Sequence, residues 1–301
     1  MELVSIIIPT YKGSTTICRA VDSALSQDYK NIEVVIVDDN GIGSDSQIET
    51  EKKIAKYYNQ NNVRYIKHKV NINGSAARNT GVREAKGEYI ALLDDDDVFL
   101  PSKIRLQIEI LAKKTKDYAV CYTSYENIFE NGRKRLITAE KSGYLCFELL
   151  SRQISVLSSI LLIRKSAWED IGGFDESFKR DQDQEFCARL LQKYKIAVVP
   201  EICMVRYVLK RNVPANIRVE VKYREFYISK MNSIINTFNE NQQKLIYGRF
   251  YTDIAKRYFK TRKLFKCTQY IFKSKTPILA VKELYKDFIA YKKNVKEYSN
   301  T

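Results

Sequence analysis

The sequence predicts an α/β domain on a mostly parallel central sheet flanked by helices, followed by a helical C-terminal region. Three observations predict this. Short apolar runs alternate with amphipathic helical patterns through the first hundred residues, two of those runs end in clustered acids, and strand patterns cease near residue 216. The expected domains are therefore 1–215 and 216–301.

The centre of the first domain is Glu88-Tyr89-Ile90-Ala91-Leu92-Leu93, followed by Asp94-Asp95-Asp96-Asp97 and, shortly after, Pro101. A buried strand here delivers four carboxylates to its C-terminal end, where open α/β sheets bind ligands. Adjacent carboxylates repel, and a divalent cation is the usual partner that makes such crowding favourable. The alternative is a solvated acidic loop.

The other elements follow in order. Val4 to Ile8 is a buried-strand pattern ending at Pro9-Thr10-Tyr11, and Ser14 is a candidate cap for a helix with Ile17, Ala20, Val21, Ala24 and Leu25 on one face. Ile32 to Val37 is a second strand that closes on Asp38-Asp39-Asn40-Gly41. A helical pattern covers Ile48 to Tyr58, Val63 to Ile66 is a third strand, and a helix starting near Ser75 carries Arg78 and Asn79 in its first turns. After the acidic run come a helix with Ile104, Ile108 and Leu111 inward, a strand from Tyr118, a turn at Asn131-Gly132, and a strand over Ser158 to Ile163. Lys165 to Ile171 reads as a short helix stopped by Gly172-Gly173. Asp183 falls near a further helix start, and Ile196 to Val199 reads as a strand ending at Pro200.

Composition narrows the class. The 301 residues are 45% hydrophobic and 29% charged, which is globular. The six cysteines show no CxxC spacing and read as reduced and mostly buried. No run spans a bilayer and no signal-like segment precedes the first strand, so a cytoplasmic protein is expected, with the inner face of the cell membrane as a peripheral location. The net charge is +15, and the segment from Asn241 onward holds 15 Lys or Arg against 4 Asp or Glu. Such a tail suits an anionic surface. Lys256, Arg257, Lys260, Arg262, Lys263 and Lys266 are its candidate lipid-facing residues, and a helical dimerisation or docking module is the alternative. No nucleic-acid recognition motif accompanies the charge, so no such partner is expected.

Taken together, Pro9-Thr10-Tyr11, Val37-Asp38-Asp39-Asn40, Asn73-Gly74-Ser75-Ala76-Ala77-Arg78-Asn79, Leu93-Asp94-Asp95-Asp96-Asp97, and Gly172-Gly173-Phe174-Asp175-Glu176 with Gln182-Asp183 resemble the motifs of family-2 glycosyltransferases. The likeness covers about residues 3 to 211. It implies the GT-A nucleotide-diphospho-sugar transferase fold and inverting, non-processive transfer of one sugar from a nucleotide-sugar donor to a glycan or lipid-linked acceptor, as in bacterial cell-surface polysaccharide synthesis. It also implies roles. Tyr11 would stack on a uracil, Asp39 accept from its ring N–H and Arg78 donate to a ring carbonyl, with Pro9 and Thr10 also among the nucleotide-sugar-binding residues. Asp94 or Asp95 would hold the ribose hydroxyls, Asp96 would ligate Mn²⁺ or Mg²⁺, and Asp183 would be the general base.

Two departures from the pattern matter. Many GT-A enzymes carry a histidine late in the domain, but the single histidine, His68, lies far upstream and reads as a surface residue. Lys210 and Arg211 are the candidate diphosphate contacts in its place. The Gln-x-x-Arg-Trp signature of processive synthases is missing. Asp38 reads as a structural turn acid and Asp97 as a candidate cap of the following helix. Competing readings are a haloacid-dehalogenase-like phosphatase with Asp94 as nucleophile, and a non-catalytic nucleotide-sugar-binding or docking protein. The donor sugar, the acceptor and the oligomeric state stay open.

Overall fold

The computed structural model describes residues 2–208 and 216–298. The chain divides into two compact units, one of Met1–Cys146 and Ile154–Val213, the other of Phe147–Gln153 and Pro214–Thr301.

In the first unit, β1 (Val4–Thr10) and β2 (Ile32–Asp38) are buried along their whole length, as strands covered on both faces must be. Helix α1 (Ile17–Leu25) buries Ile17, Ala20, Val21 and Ala24, while Leu25, the fifth residue of the stripe read from the sequence, is half-buried at the helix end. Ser14 does not cap it. Its hydroxyl donates to Glu49 Oε2 at 3.2 Å, and the helix begins after Thr16. Next come α2 (Asp45–Ile54), β3 (Val63–Lys67) and α3 (Gly74–Glu84), whose N-cap Asn73 accepts from the Ala76 N–H. β4 (Tyr89–Leu92) carries the acidic run at its end, and β5 (Asp97–Phe99) and α4 (Lys103–Ala112) follow. Asp97 therefore opens a strand, paired opposite Arg206, and caps no helix.

The long β6 (Tyr118–Phe129) turns through Gly132 into β7 (Lys134–Ile137), and α5 is Cys146–Leu150. Ser158 to Ile160 forms a 3-10 turn where a strand was expected, and β8 is only Leu162–Arg164. Helices α6 (Lys165–Asp170) and α7 (Gln182–Lys193) lead to β9 (Lys195–Val208). Pro200 does not end β9. Val199 lies opposite Thr123 and Ile202 opposite Ser124, so Pro200 and Glu201 form a bulge where the missing N–H is harmless. The Ser124 hydroxyl donates to the Pro200 carbonyl at 2.6 Å and closes the gap.

The sheet order is β3-β2-β1-β4-β8-β6-β9-β5, with β7 on β6. The first four strands in that order are parallel; β8 runs antiparallel to both β4 and β6, so the whole sheet is mixed. The parallel block places the ends of β1, β2 and β4 together on one edge. That edge holds the site.

The second unit is helical: α8 (Ile217–Lys230), α9 (Asn232–Ile235), α10 (Glu240–Lys260), α11 (Leu264–Lys273) and α12 (Pro277–Tyr298). Asn239 and Gln242 make a reciprocal capping box at α10, and Pro277 occupies the first position of α12. Ile246, Phe250, Ile254 and Tyr258 of α10 are buried. Gly248 permits a close approach, because a Cβ there would meet Thr276 Oγ1 at 2.5 Å. The 147–153 segment joins this unit through Arg152, paired with Asp253 at 2.6 Å, and through Arg249, which donates to the Ser151 carbonyl.

Candidate functional site

A cavity of about 490 Å³ opens at the carboxyl edge of the parallel strands, within the range typical of small-ligand sites. Its walls include Pro9, Thr10, Tyr11, Asp39, Arg78, Asp94, Asp95 and Asp96, eight residues singled out from the sequence. Lys210 and Arg211 lie outside the described residues.

Each wall is held by interactions between motifs distant in the chain. Thr10 donates to Asp95 Oδ2 at 2.6 Å, joining the end of β1 to the acidic run. Gly13 is required beside that contact, since a Cβ would fall 1.8 Å from the same oxygen. The Lys12 N–H donates to Asn40 Oδ1 at 2.7 Å, and Tyr11 between these ties stays 47% exposed. Asp38 is fully buried and accepts from Asn40 and from the Tyr65 hydroxyl, a structural role.

Asp39 is buried, and its oxygens are largely engaged. Oδ1 accepts from the Ile72 N–H at 2.9 Å and faces His68 Nδ1 at 2.7 Å; Oδ2 accepts from Asn71 Nδ2 at 2.8 Å. Burial pushes its carboxyl above the usual carboxylate range, and the Ile72 and His68 contacts offset only part of that. His68 is thus no surface residue. It is 8% exposed, and its Nε2 meets Thr80 Oγ1 at 3.0 Å.

Arg78 projects from the first turns of α3 between two acids. Its Nη2 donates to Asp94 Oδ1 at 2.5 Å and its Nη1 to Gln182 Oε1 at 3.3 Å, while the buried Nε has no partner among the described residues. Burial works against the charge, but Asp94 and Asp183 outweigh it and raise the pKa, so Arg78 stays a cation. Its partner acid lies across the site and not on its own helix face. Asn79, the next residue, binds the Phe174 N–H and C=O and Glu176 Oε1, each at 2.9 Å. That joins the third motif to the Gly-Gly-Phe-Asp-Glu loop. Gly173, at φ 70°, lies where a Cβ would strike Asn79 Oδ1 at 2.7 Å.

Asp96 is 8% exposed, and its backbone carbonyl accepts from Arg19 Nη2 at 2.9 Å, with Arg19 stacked 3.7 Å from the Tyr207 ring. Asp97 is driven well above the carboxylate range by burial and then by Asp94. Asp183 is not among the residues lining the cavity. It stands in the first turn of α7, half-buried, and takes hydrogen bonds from the Ser158 hydroxyl and, at 3.2 Å, the Ser158 N–H. Burial raises its carboxyl, Asp94 adds to this, and Arg78 and Ser158 oppose it.

The cavity wall adds three cations that sequence reasoning missed: Lys12, Arg180 and Arg206. Lys12 directly follows the first motif, which was a usable signal. Arg206 sits in β9, and only the strand pairing brings it beside the acidic run. With Arg78 they set four cations against the four carboxylates of Asp39, Asp94, Asp95 and Asp96. The acids offer oxygen donors suited to a hard cation, while among the described residues no three His, Cys, Asp or Glu converge as a complete metal cage.

Residues 5–172, more than half of the chain, match glycosyl transferase family 2. An uncharacterized glycosyltransferase of Rickettsia bellii is 35% identical over 197 residues, covering 63% of this chain and 27% of that protein. The chain spans between 27% and 59% of the length of its rickettsial relatives. The UDP-Glc:alpha-D-GlcNAc-diphosphoundecaprenol beta-1,3-glucosyltransferase WfaP of Escherichia coli is 40% identical over 125 residues, 42% of this chain and 47% of that one. Staphylococcus aureus TarS in complex with UDP-GlcNAc superposes with a TM-score of 0.62 at 16% identity over 96% of this chain and 92% of its own, so the GT-A fold is shared. With the family's match running from β1 through the acidic strand end to the Gly-Gly turn, the chain belongs to glycosyl transferase family 2.

Proposed function

We propose that the protein is an inverting, non-processive glycosyltransferase that moves one sugar from a UDP-sugar to a hydroxyl of a glycan or lipid-linked acceptor in bacterial surface-glycan synthesis. The observation that carries this is the convergence of Tyr11, Asp39, Arg78 and the acidic run on one cavity wall. WfaP, by its name, takes a UDP-sugar and a diphosphoundecaprenol-linked acceptor, which supports the same classes here.

Tyr11, half-exposed at the rim, stacks on the base, and the buried Asp39 accepts from the ring N–H. The Arg78 Nε, without a partner among the described residues, is the donor left for a base carbonyl. Asp94, held by Arg78, faces the ribose, whereas Asp95 is committed to Thr10 and holds the loop. Lys12, Arg180 and Arg206 balance the diphosphate charge. Asp96 would hold Mn²⁺ or Mg²⁺ together with diphosphate oxygens, as expected where one or two carboxylates and the substrate complete the shell. The bound cation would stabilise negative charge on the departing nucleoside diphosphate.

Asp183 takes the proton from the acceptor hydroxyl as that oxygen bonds to the anomeric carbon. The bond from that carbon to the diphosphate oxygen breaks on the opposite side, so the configuration inverts. The raised Asp183 pKa fits a base that must also release its proton. A cytoplasmic enzyme working at the inner membrane face suits a lipid-linked acceptor, and no described helix is long and apolar enough to cross a membrane. Family membership leaves the phosphatase reading of Asp94 without support.

Calorimetric titration with UDP, GDP and CMP, with and without Mn²⁺, tests the donor half. Selective, Mn²⁺-enhanced UDP binding is expected. No nucleotide binding in any condition would leave a fold-only relative.

A further inference from the structure

Helix α12 is apolar on two faces. Ala280 and Leu284 point inward, yet Ile278, Val281, Tyr285 and Ile289, at i, i+3, i+7 and i+11, form a second stripe turned to solvent. Ile278 is 74% and Tyr285 63% exposed. The preceding α11 repeats this, with Cys267 buried and Phe265 and Phe272 each 75% exposed one i+7 step apart. A soluble surface scatters such side chains singly; stripes on two successive helices mark something that covers them.

Charge indicates what covers them. Lys282 and Lys286 border the α12 stripe, and Lys275 holds the left-handed turn before it. Lys275, Pro277, Ile278, Leu279 and Lys282 line an open cleft of about 410 Å³ at this corner. From Arg262 to Ile289 there are seven basic residues and two acidic ones, and one of the acids, Glu283, is held by Lys256 at 3.0 Å. Two basic residues expected to face lipid are used inside the unit instead: Lys256 on Glu283 and Arg257 on Glu220. Pairing with a second copy through this face would bring two lysine-rich surfaces together.

We infer that the α11–α12 corner is a bilayer-docking face that inserts Phe265, Phe272, Ile278 and Tyr285 among acyl chains while Lys275, Lys282 and Lys286 meet anionic phospholipid headgroups. The side chains match the two layers of a membrane interface: apolar bodies below and snorkelling amines above.

The test is co-sedimentation of the full chain with phosphatidylcholine vesicles, with or without phosphatidylglycerol. Binding to the anionic vesicles and not to the neutral ones is expected. Ile278→Ser with Val281→Ser and Tyr285→Ser should weaken it at least tenfold. Lys275→Glu with Lys282→Glu and Lys286→Glu should weaken it on the order of a hundredfold, at roughly fivefold or more per lysine. All positions are exposed, and circular dichroism should show both variants folded. Background sedimentation with anionic vesicles overturns the inference, as does unchanged binding in both variants. A dimer in light scattering that the apolar variant dissolves would give the face to a second copy and equally overturn it.

Discussion

His68 Nδ1 lies 2.7 Å from Asp39 Oδ1, while the opposite ring nitrogen contacts Thr80 of α3 at 3.0 Å. The imidazole thus braces the buried Asp39 carboxylate against the helix that also carries Arg78. His68→Ala should weaken UDP binding about tenfold, the equivalent of about 1.4 kcal/mol, near the upper end for an ordinary hydrogen bond and just under the range for one to a charged group. His68→Gln should recover part of the loss. Equal UDP affinity in wild type and His68→Ala, measured by calorimetry, would show that Asn71 and Ile72 suffice to orient Asp39.

Asp96→Ala should abolish the Mn²⁺ enhancement of UDP binding and leave the metal-free affinity nearly unchanged. The comparison is calorimetric, with and without Mn²⁺. An enhancement that survives would transfer the metal role to Asp94.

Asp183→Asn should remove at least two orders of magnitude of kcat and leave donor affinity in place, because the proposed base acts on the acceptor hydroxyl. As the proposed base, Asp183 acts ionised, and its pKa is raised, so the acid limb of kcat/KM should lie above the ordinary carboxylate range near 4. A limb at or below that range would mean that Arg78 and Ser158 prevail over burial.

Lys103 is fully buried, donating to Gln107 Oε1 at 2.9 Å and to the Leu161 carbonyl at 3.3 Å, and burial brings its pKa down to about 7. The unfolded chain, titrating near 10.4, binds the proton that the folded chain releases. Stability should therefore rise with pH between about 7 and 10, and be lost as pH falls to about 7. Lys103→Met should flatten that rise in chemical denaturation. A slope equal to that of wild type would place the dependence on other groups.

The sequence by itself determined the strand–helix alternation, the acids at strand ends and the motifs that identify the family. These are local properties, written in apolar periodicity and short spacings. It also marked Tyr11, Asp39, Arg78 and Asp96, because each sits in or beside a motif.

Tertiary structure decided the rest. Pro200 stays inside β9 because a bulge against Ser124 absorbs its missing N–H, a property of the partner strand that no local pattern carries. His68 and Arg206 enter the site through contacts with residues far along the chain, Asp39 and the strand holding Asp97. The solvent-facing stripe of α12 was invisible for a related reason: periodicity shows that a helix face is apolar, but only packing shows which apolar face is left uncovered.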